Sequence, residues 1–218
     1  MAPKLYGFFG SPPFGAVLMC AKELGLELEI VIVDFNAGDH LKEDFVKINP
    51  QRTVPLLEDD GFYLADSHAI NAYLVGKYGK ENDPLYPKHD IKRKAIIDHR
   101  QYMDSSIVAA NAFQVTRPLF LKKIKPTVAS IENFREALQT MDRQIEIQNT
   151  KYIAGDVLSI ADFSNTVTIT SWGYFLPNWP EEFPNINAYI ERMKKEDWFN
   201  VNDEGWKNFK AIMDLLMK

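Results

Sequence analysis

Short apolar runs alternate with amphipathic stretches in the first part of the chain, and a helical period dominates the rest. Leu5-Tyr6-Gly7-Phe8-Phe9 has the length and character of a strand. Phe14, Val17, Leu18, Ala21 and Leu24 then recur at helical spacing until Gly25 supplies a stop. Glu29 to Asp34 reads as a second strand, so strand, helix and strand form a βαβ unit, which the handedness rule makes a right-handed parallel pair. A short helix over Lys42 to Ile48 follows. Val54 to Glu58, an Asp60-Gly61 turn and Phe62 to Ala65 then spell a β-hairpin. Asp66 or Ser67 caps a helix running to about Tyr78, with Gly79 beyond it.

The polar, proline-bearing stretch Lys80 to Lys88 has no periodicity and marks a domain boundary. The expected division is residues 1–80, a linker over 81–88, and an all-helical domain over 89–218. Helical patterns cover His89–Lys122, Thr127–Asn149, Ser159–Tyr174, Ile186–Lys195 and Asp203–Lys218. Pro118 and Pro126 are expected to end or kink the first of these, because neither can donate to the i−4 carbonyl. Ser159-Ile160-Ala161-Asp162 fits a capping box with Asp in the third helical position, with Leu158 and Phe163 close to staple positions.

Composition narrows the function classes. The 218 residues suffice for two small domains, each with its own core. A formal charge of −5 and the lack of any dense Lys/Arg run argue against nucleic acid as a partner. No apolar run approaches the ~20 residues of a membrane span, and the start lacks a signal core, so a cytoplasmic protein without a membrane partner is expected. The single cysteine, Cys20, excludes an internal disulfide, a CxxC pair and a multi-cysteine metal site. The four histidines have no ligand spacing with one another, and no metal is expected.

The candidate chemistry lies between these elements. Pro55 cannot donate a ladder bond, so it belongs at an edge or in a turn, and X-Pro is the bond that turns cis at low cost. A cis bond there would leave the amide and carbonyl of Val54 free for an extended ligand backbone. Ser11 precedes Pro12-Pro13 and reads as a helix N-cap whose hydroxyl oxygen accepts from helix amides while its hydrogen points outward. At the positive end of a helix, that hydrogen suits an anion such as a thiolate. Asp66-Ser67 reads as a cap and equally as a grip on an amino-acid end, the serine for a carboxylate and the aspartate for an ammonium.

These phrases, in this order and spanning essentially the whole chain, resemble the cytosolic glutathione transferases. Ser11-Pro12-Pro13, Asn49-Pro50-Gln51-x-Thr53-Val54-Pro55, Asp66-Ser67-His68-Ala69-Ile70 and Ser159-Ile160-Ala161-Asp162 look most like the arthropod delta and epsilon classes, epsilon first. The resemblance implies an α/β thioredoxin-like N-terminal domain with a mixed sheet and a cis-proline, an all-α C-terminal domain, and a homodimer. It implies a serine-type enzyme that conjugates glutathione, its co-substrate, to hydrophobic electrophiles of xenobiotic or lipid origin, with peroxide reduction and halide elimination as side activities. Detoxification, including insecticide resistance, is the role that goes with it. No other cofactor is implied.

By the same resemblance Ser11 donates to the glutathione sulfur. Val54, beside Pro55, pairs with the cysteinyl backbone; Asp66 and Ser67 hold the γ-glutamyl end, with His68 close by; His40 and Arg52 reach the glycyl carboxylate. The acceptor side is expected at Phe14, at Ala109, Ala112, Phe113, Thr116 and Phe120 of the long helix, and at Phe209 of the last one, with the two alanines making the pocket roomy. Two positions depart from the usual pattern. Arg52 stands where histidine is common, and Phe14-Gly15 where an apolar residue and arginine are common. Arg52 is a permanent cation suited to a carboxylate, whereas Gly15 loosens the helix that carries Ser11. The competing readings are a non-catalytic carrier of glutathione and hydrophobic ligands on the same fold, and a thiol-disulfide oxidoreductase, which lacks a cysteine at position 11.

Overall fold

In the computed structural model, which describes residues 2–218, strands β1 (Lys4–Gly7) and β2 (Glu29–Ile32) pair in parallel across helix α1 (Pro12–Leu24). Strands β3 (Leu56–Asp59) and β4 (Phe62–Ala65) form the expected hairpin, and the sheet order is β2-β1-β3-β4. The Asp60-Gly61 turn takes φ of 51° and 81°, the doubly left-handed geometry that lets a two-residue loop follow the twist of its strands. β3 begins after Pro55 rather than at Val54, since proline has no N–H for the ladder, and β1 ends at Gly7, two residues short of the apolar run. Helices α2 (Glu43–Ile48) and α3 (Ser67–Tyr78) complete this domain. Leu5, Phe14, Val17, Leu57, Ile70 and Leu74 close its core between the sheet, α1 and α3.

Residues 79–90 lead to the helical domain, and the Asp83 carboxylate fixes their path by accepting from the amides of Lys80 and Leu85. Helix α4 (Ile91–Met103) passes through a π-helical turn at Asp104–Val108 into α5 (Ala109–Lys122). Then come α6 (Val128–Gln148), α7 (Ile160–Trp172), the short α8 (Trp179–Glu182), α9 (Pro184–Met193) and α10 (Phe199–Leu216). Pro118 does not end α5, which continues to Lys122; the interruption lies instead at the π turn, where one extra residue is accommodated. The α8 turn had no counterpart in the periodicity, and α10 starts four residues before Asp203.

Helix α7 is buried at every position and forms the axis of the domain. Its start is locked by the capping box: the Asp162 carboxylate accepts from the Ser159 amide and hydroxyl, the Ile153 amide and the Tyr189 hydroxyl. Helix α1 packs on α7 and α10, and Ala16, Met19 and Cys20 of α1 with Val75 of α3 belong to the same apolar cluster as the helical domain. The N-terminal domain keeps clusters of its own, while the core of the helical domain reaches across the boundary to one face of α1.

Candidate active site

Strand polarity brings the candidate residues together. β1 and β2 run in parallel, and β3 is antiparallel to both β1 and β4. One end of the sheet therefore carries the segments after β1, after β2, before β3 and after β4. Those segments hold Ser11, His40, Arg52 with Val54, and Asp66 with Ser67. Ligand sites of open α/β sheets favour such an end.

Ser11 occupies the N-cap position of α1, with extended φ and ψ of −83° and 115°, and is almost wholly buried. Its hydroxyl makes no capping bond, contrary to the expectation that the oxygen would accept from helix amides. Pro12 and Pro13 have no N–H to offer, the Gly15 amide donates to the Ser11 carbonyl at 3.0 Å, and the Phe14 amide is the one first-turn donor left, which the hydroxyl does not engage. Among the described residues, the Ser11 hydroxyl and the Phe14 amide have no acceptor, and they stand at the positive end of a helix. Gly10 holds the preceding turn at φ 103°, and a Cβ there would press on Asn208 and Ile212 of α10. The last helix thus seats the loop that carries Ser11.

The Val54-Pro55 bond is cis, and Val54 takes no part in any backbone hydrogen bond of the sheet or its turns. Its amide and carbonyl are open to an extended ligand. Asn49, which no sequence argument singled out as an organiser, is buried and ties this loop: its Nδ2 donates to the Thr53 carbonyl at 2.8 Å and its Oδ1 accepts from Gln51 N–H at 3.1 Å. An Asn-Pro turn signal was the available clue. Arg52 adopts φ 58° and is exposed and close enough to His40 to repel its protonated form. His40 stacks on Phe35 at 4.1 Å, and burial first, then Arg52, lowers its pKa despite Asp39. At neutral pH the permanent charge of this corner is the guanidinium.

Asp66 is strained, at φ 77° and ψ 119°, and caps α3 by accepting from the amides of His68 and Ala69 through Oδ1. The cap consumes one carboxylate oxygen and leaves Oδ2 with a free face. Among the described residues the Ser67 N–H and hydroxyl have no acceptor, so the helix start presents two donors beside one carboxylate oxygen. A zwitterionic amino-acid end fits that pairing. His68 is not a solvated side chain: its Nε2 lies 2.9 Å from Asp104 Oδ2, and its Nδ1 lies 3.3 Å from Asp66 Oδ1. Burial alone would lower the His68 pKa, but hydrogen bonding to Asp104 and Asp66 and their charges outweigh it and raise the value to about 9. His68 therefore acts as a cation that fixes Asp66. Asp104, 1% exposed, sits in the π turn and was invisible to sequence reasoning.

On the acceptor side the expected residues separate. Phe14, Ala112, Thr116 and Phe209 are buried in packing, and Ala109 nearly so. Thr116 donates to the Ala112 carbonyl and accepts from Trp172 Nε1, while Trp172 packs edge-on against both Phe113 and Phe209. Ala112, expected to widen a pocket, instead fills core space. Phe113 and Phe120 are the open side chains of that set, and Phe9, edge-on to Phe14, adds an exposed ring near Ser11.

The glutathione S-transferase N-terminal domain family model matches residues 1–76, and the C-terminal domain model of the same family matches residues 109–197. An epsilon-class glutathione S-transferase from the housefly, Musca domestica, superposes with a TM-score of 0.90 at 36% identity, covering 98% of each chain. A delta-class glutathione transferase from Nilaparvata lugens superposes at 0.89 with 30% identity, covering 98% of this chain and 99% of that one. A glutathione transferase homolog from Drosophila mojavensis, solved with bound glutathione, is 38% identical, with a TM-score of 0.88 over 96% of this chain and 94% of that one.

Proposed function

The chain belongs to the glutathione S-transferase family, and on that premise we propose that it is a serine-type transferase joining the glutathione thiolate to hydrophobic electrophiles. The carrying observation is the Ser11 hydroxyl, an N-cap without a capping bond, beside the unpartnered Phe14 amide at the head of α1. A thiol of ordinary pKa near 8.5 is only a few per cent ionised at neutral pH, and two donors with a helix end favour its anion. The γ-glutamyl end of glutathione is assigned to Asp66 and the Ser67 donors, the cysteinyl backbone to Val54, and the glycyl carboxylate to Arg52 with His40. The thiolate attacks an acceptor lying against Phe9, Phe113 and Phe120, and the leaving group departs into solvent.

The protein is further proposed to act as a homodimer. Phe62 and Tyr63 on the edge strand β4, with Ile96 and Tyr102 on α4, are exposed apolar side chains that a second copy would cover.

The test is the ultraviolet thiolate absorbance of bound glutathione across pH, for wild type and Ser11→Ala. Loss of a hydrogen bond to a charged group is worth about 1.5–3 kcal/mol, so the bound thiol pKa should rise by about 1–2 units in the variant. Binding with an unshifted thiol pKa in the wild type would instead identify a glutathione carrier.

A further inference from the structure

Between Asp104 and Glu132 the chain has no acidic residue, although it carries 30 of them and a net charge of −5. Arg117, Lys122, Lys123 and Lys125 lie in this stretch, at the end of α5 and in the turn to α6, and none is paired with a carboxylate among the described residues. The flanking acids are already occupied: Asp104 by His68, and Glu132 by Arg135, which also holds Glu182. Among the described residues, four positive charges are thus left without an ion-pair partner.

Large apolar side chains stand among them. Leu121 is 64% exposed, Ile124 52%, Val128 79% and Phe120 39%. Every residue from Phe120 to Lys125 is exposed, so the feature is a protruding tip and not a groove. Its backbone is ordered: Lys123 takes φ 55° as the α5 cap, and the amides of Lys123 and Ile124 close on the carbonyls of Leu119 and Pro118. A fixed convex knob of aliphatic side chains ringed by lysines finds little purchase on a protein surface, which would need a matching hollow. A lipid surface deforms around it. The alkyl groups enter the acyl boundary while the lysine stems hold their ammonium groups at headgroup depth.

We infer that this tip docks the protein peripherally on an anionic lipid surface. The acidic whole-chain balance does not oppose it, because at physiological ionic strength charges separated by more than about 8 Å are screened and the local field governs. No helix crosses the membrane in this arrangement. The inference is independent of the conjugation chemistry, and it would bring the exposed rings Phe113 and Phe120, on the same helix, to a surface where apolar compounds concentrate.

The experiment is co-sedimentation of the full chain with vesicles of phosphatidylcholine alone and of phosphatidylcholine containing phosphatidylserine, at about 0.1 M and at about 1 M salt. Binding is expected only to the phosphatidylserine vesicles and only at the lower salt. A lysine near an anionic surface contributes roughly fivefold in partitioning, so the triple variant Lys122→Glu, Lys123→Glu, Lys125→Glu should bind well over tenfold more weakly. Leu121→Asp with Ile124→Asp should also release the protein, and glutathione affinity, measured on each variant, should stay at the wild-type value. Absence of wild-type binding to the anionic vesicles would overturn the inference, as would binding that both variants retain. Concentration-dependent self-association lost in the same variants, without vesicle binding, would assign the tip to a second copy and equally overturn it.

Discussion

At the residue scale the site depends on what its side chains are prevented from doing. Two prolines and one backbone bond leave Phe14 as the only open amide in the first turn of α1, and the Ser11 hydroxyl makes no capping bond to it. His68 is the opposite case, held between the carboxylates of Asp66 and Asp104. Its folded pKa of about 9 lies above the ordinary 6.5. A raised folded pKa gives stability that is fully present below the unfolded value and disappears as pH rises through the folded one. The pair therefore stabilises at pH 6.5 and below and fades towards pH 9, by at most about 3 kcal/mol. Urea unfolding followed from pH 6 to pH 9.5 should show this decline in the wild type and a much flatter profile in His68→Gln. Equal slopes in the two proteins would remove His68 as the source. The place of Ser11 at the head of α1, the cis Val54-Pro55 bond and the Asp66 cap of α3 were legible because local rules about caps and prolines specify them. The His68–Asp104 pair obeys none, since its partners stand 36 positions apart and meet only when α3 packs beside the π turn.

At the element scale, long periodicity specifies the elements and leaves their ends to packing. The βαβ unit, the hairpin, α3 and the capping box of α7 were all legible, because each is specified by turn residues and apolar spacing over a few positions. The end of β1, the persistence of α5 through Pro118 and the π turn were not, because tertiary packing decides them. Helix α1 yields a prediction of its own. Gly15 lies buried in its first turn, facing Val167 of α7. A Cβ at position 15 would meet only Val167, at 3.6 Å, an ordinary contact, and Gly15 does not need a left-handed backbone. Gly15→Ala should therefore stabilise the protein by about 0.5–1 kcal/mol through helix propensity and a less free unfolded chain. A shift of the thermal midpoint upward by a few degrees checks this. If the same variant lowers the bound glutathione thiol pKa further, looseness of α1 limits activation; a destabilised Gly15→Ala would mean that α1 and α7 cannot part by even a methyl group.

At the scale of the whole molecule, composition and the linker suggested two domains, each with its own core; the N-terminal domain has clusters of its own, and the core of the helical domain also reaches into it. Ala16, Met19 and Cys20 on one face of α1, with Val75 of α3, are buried in the same cluster as Val115, Phe163 and Trp172 of the helical domain. Separating the domains would expose that face of α1, the helix that carries Ser11. A shared core should make unfolding a single cooperative event, and the chain carries its own reporters. Trp172, Trp179, Trp198 and Trp206 all lie in the helical domain, whereas the one cysteine, Cys20, lies in the N-terminal domain. Cys20 is wholly buried and burial raises its thiol pKa far above normal, so a thiol reagent should reach it only on unfolding. Tryptophan fluorescence and Cys20 labelling, followed through the same urea titration, should give coincident midpoints. Met19→Ala, a truncation in the N-terminal domain at the shared core, should lower both midpoints together, by about 2–5 kcal/mol of stability. Cys20 reacting well before the tryptophans respond, or Met19→Ala moving only the thiol transition, would show that the domains unfold separately and that the shared cluster does not bind them into one cooperative unit.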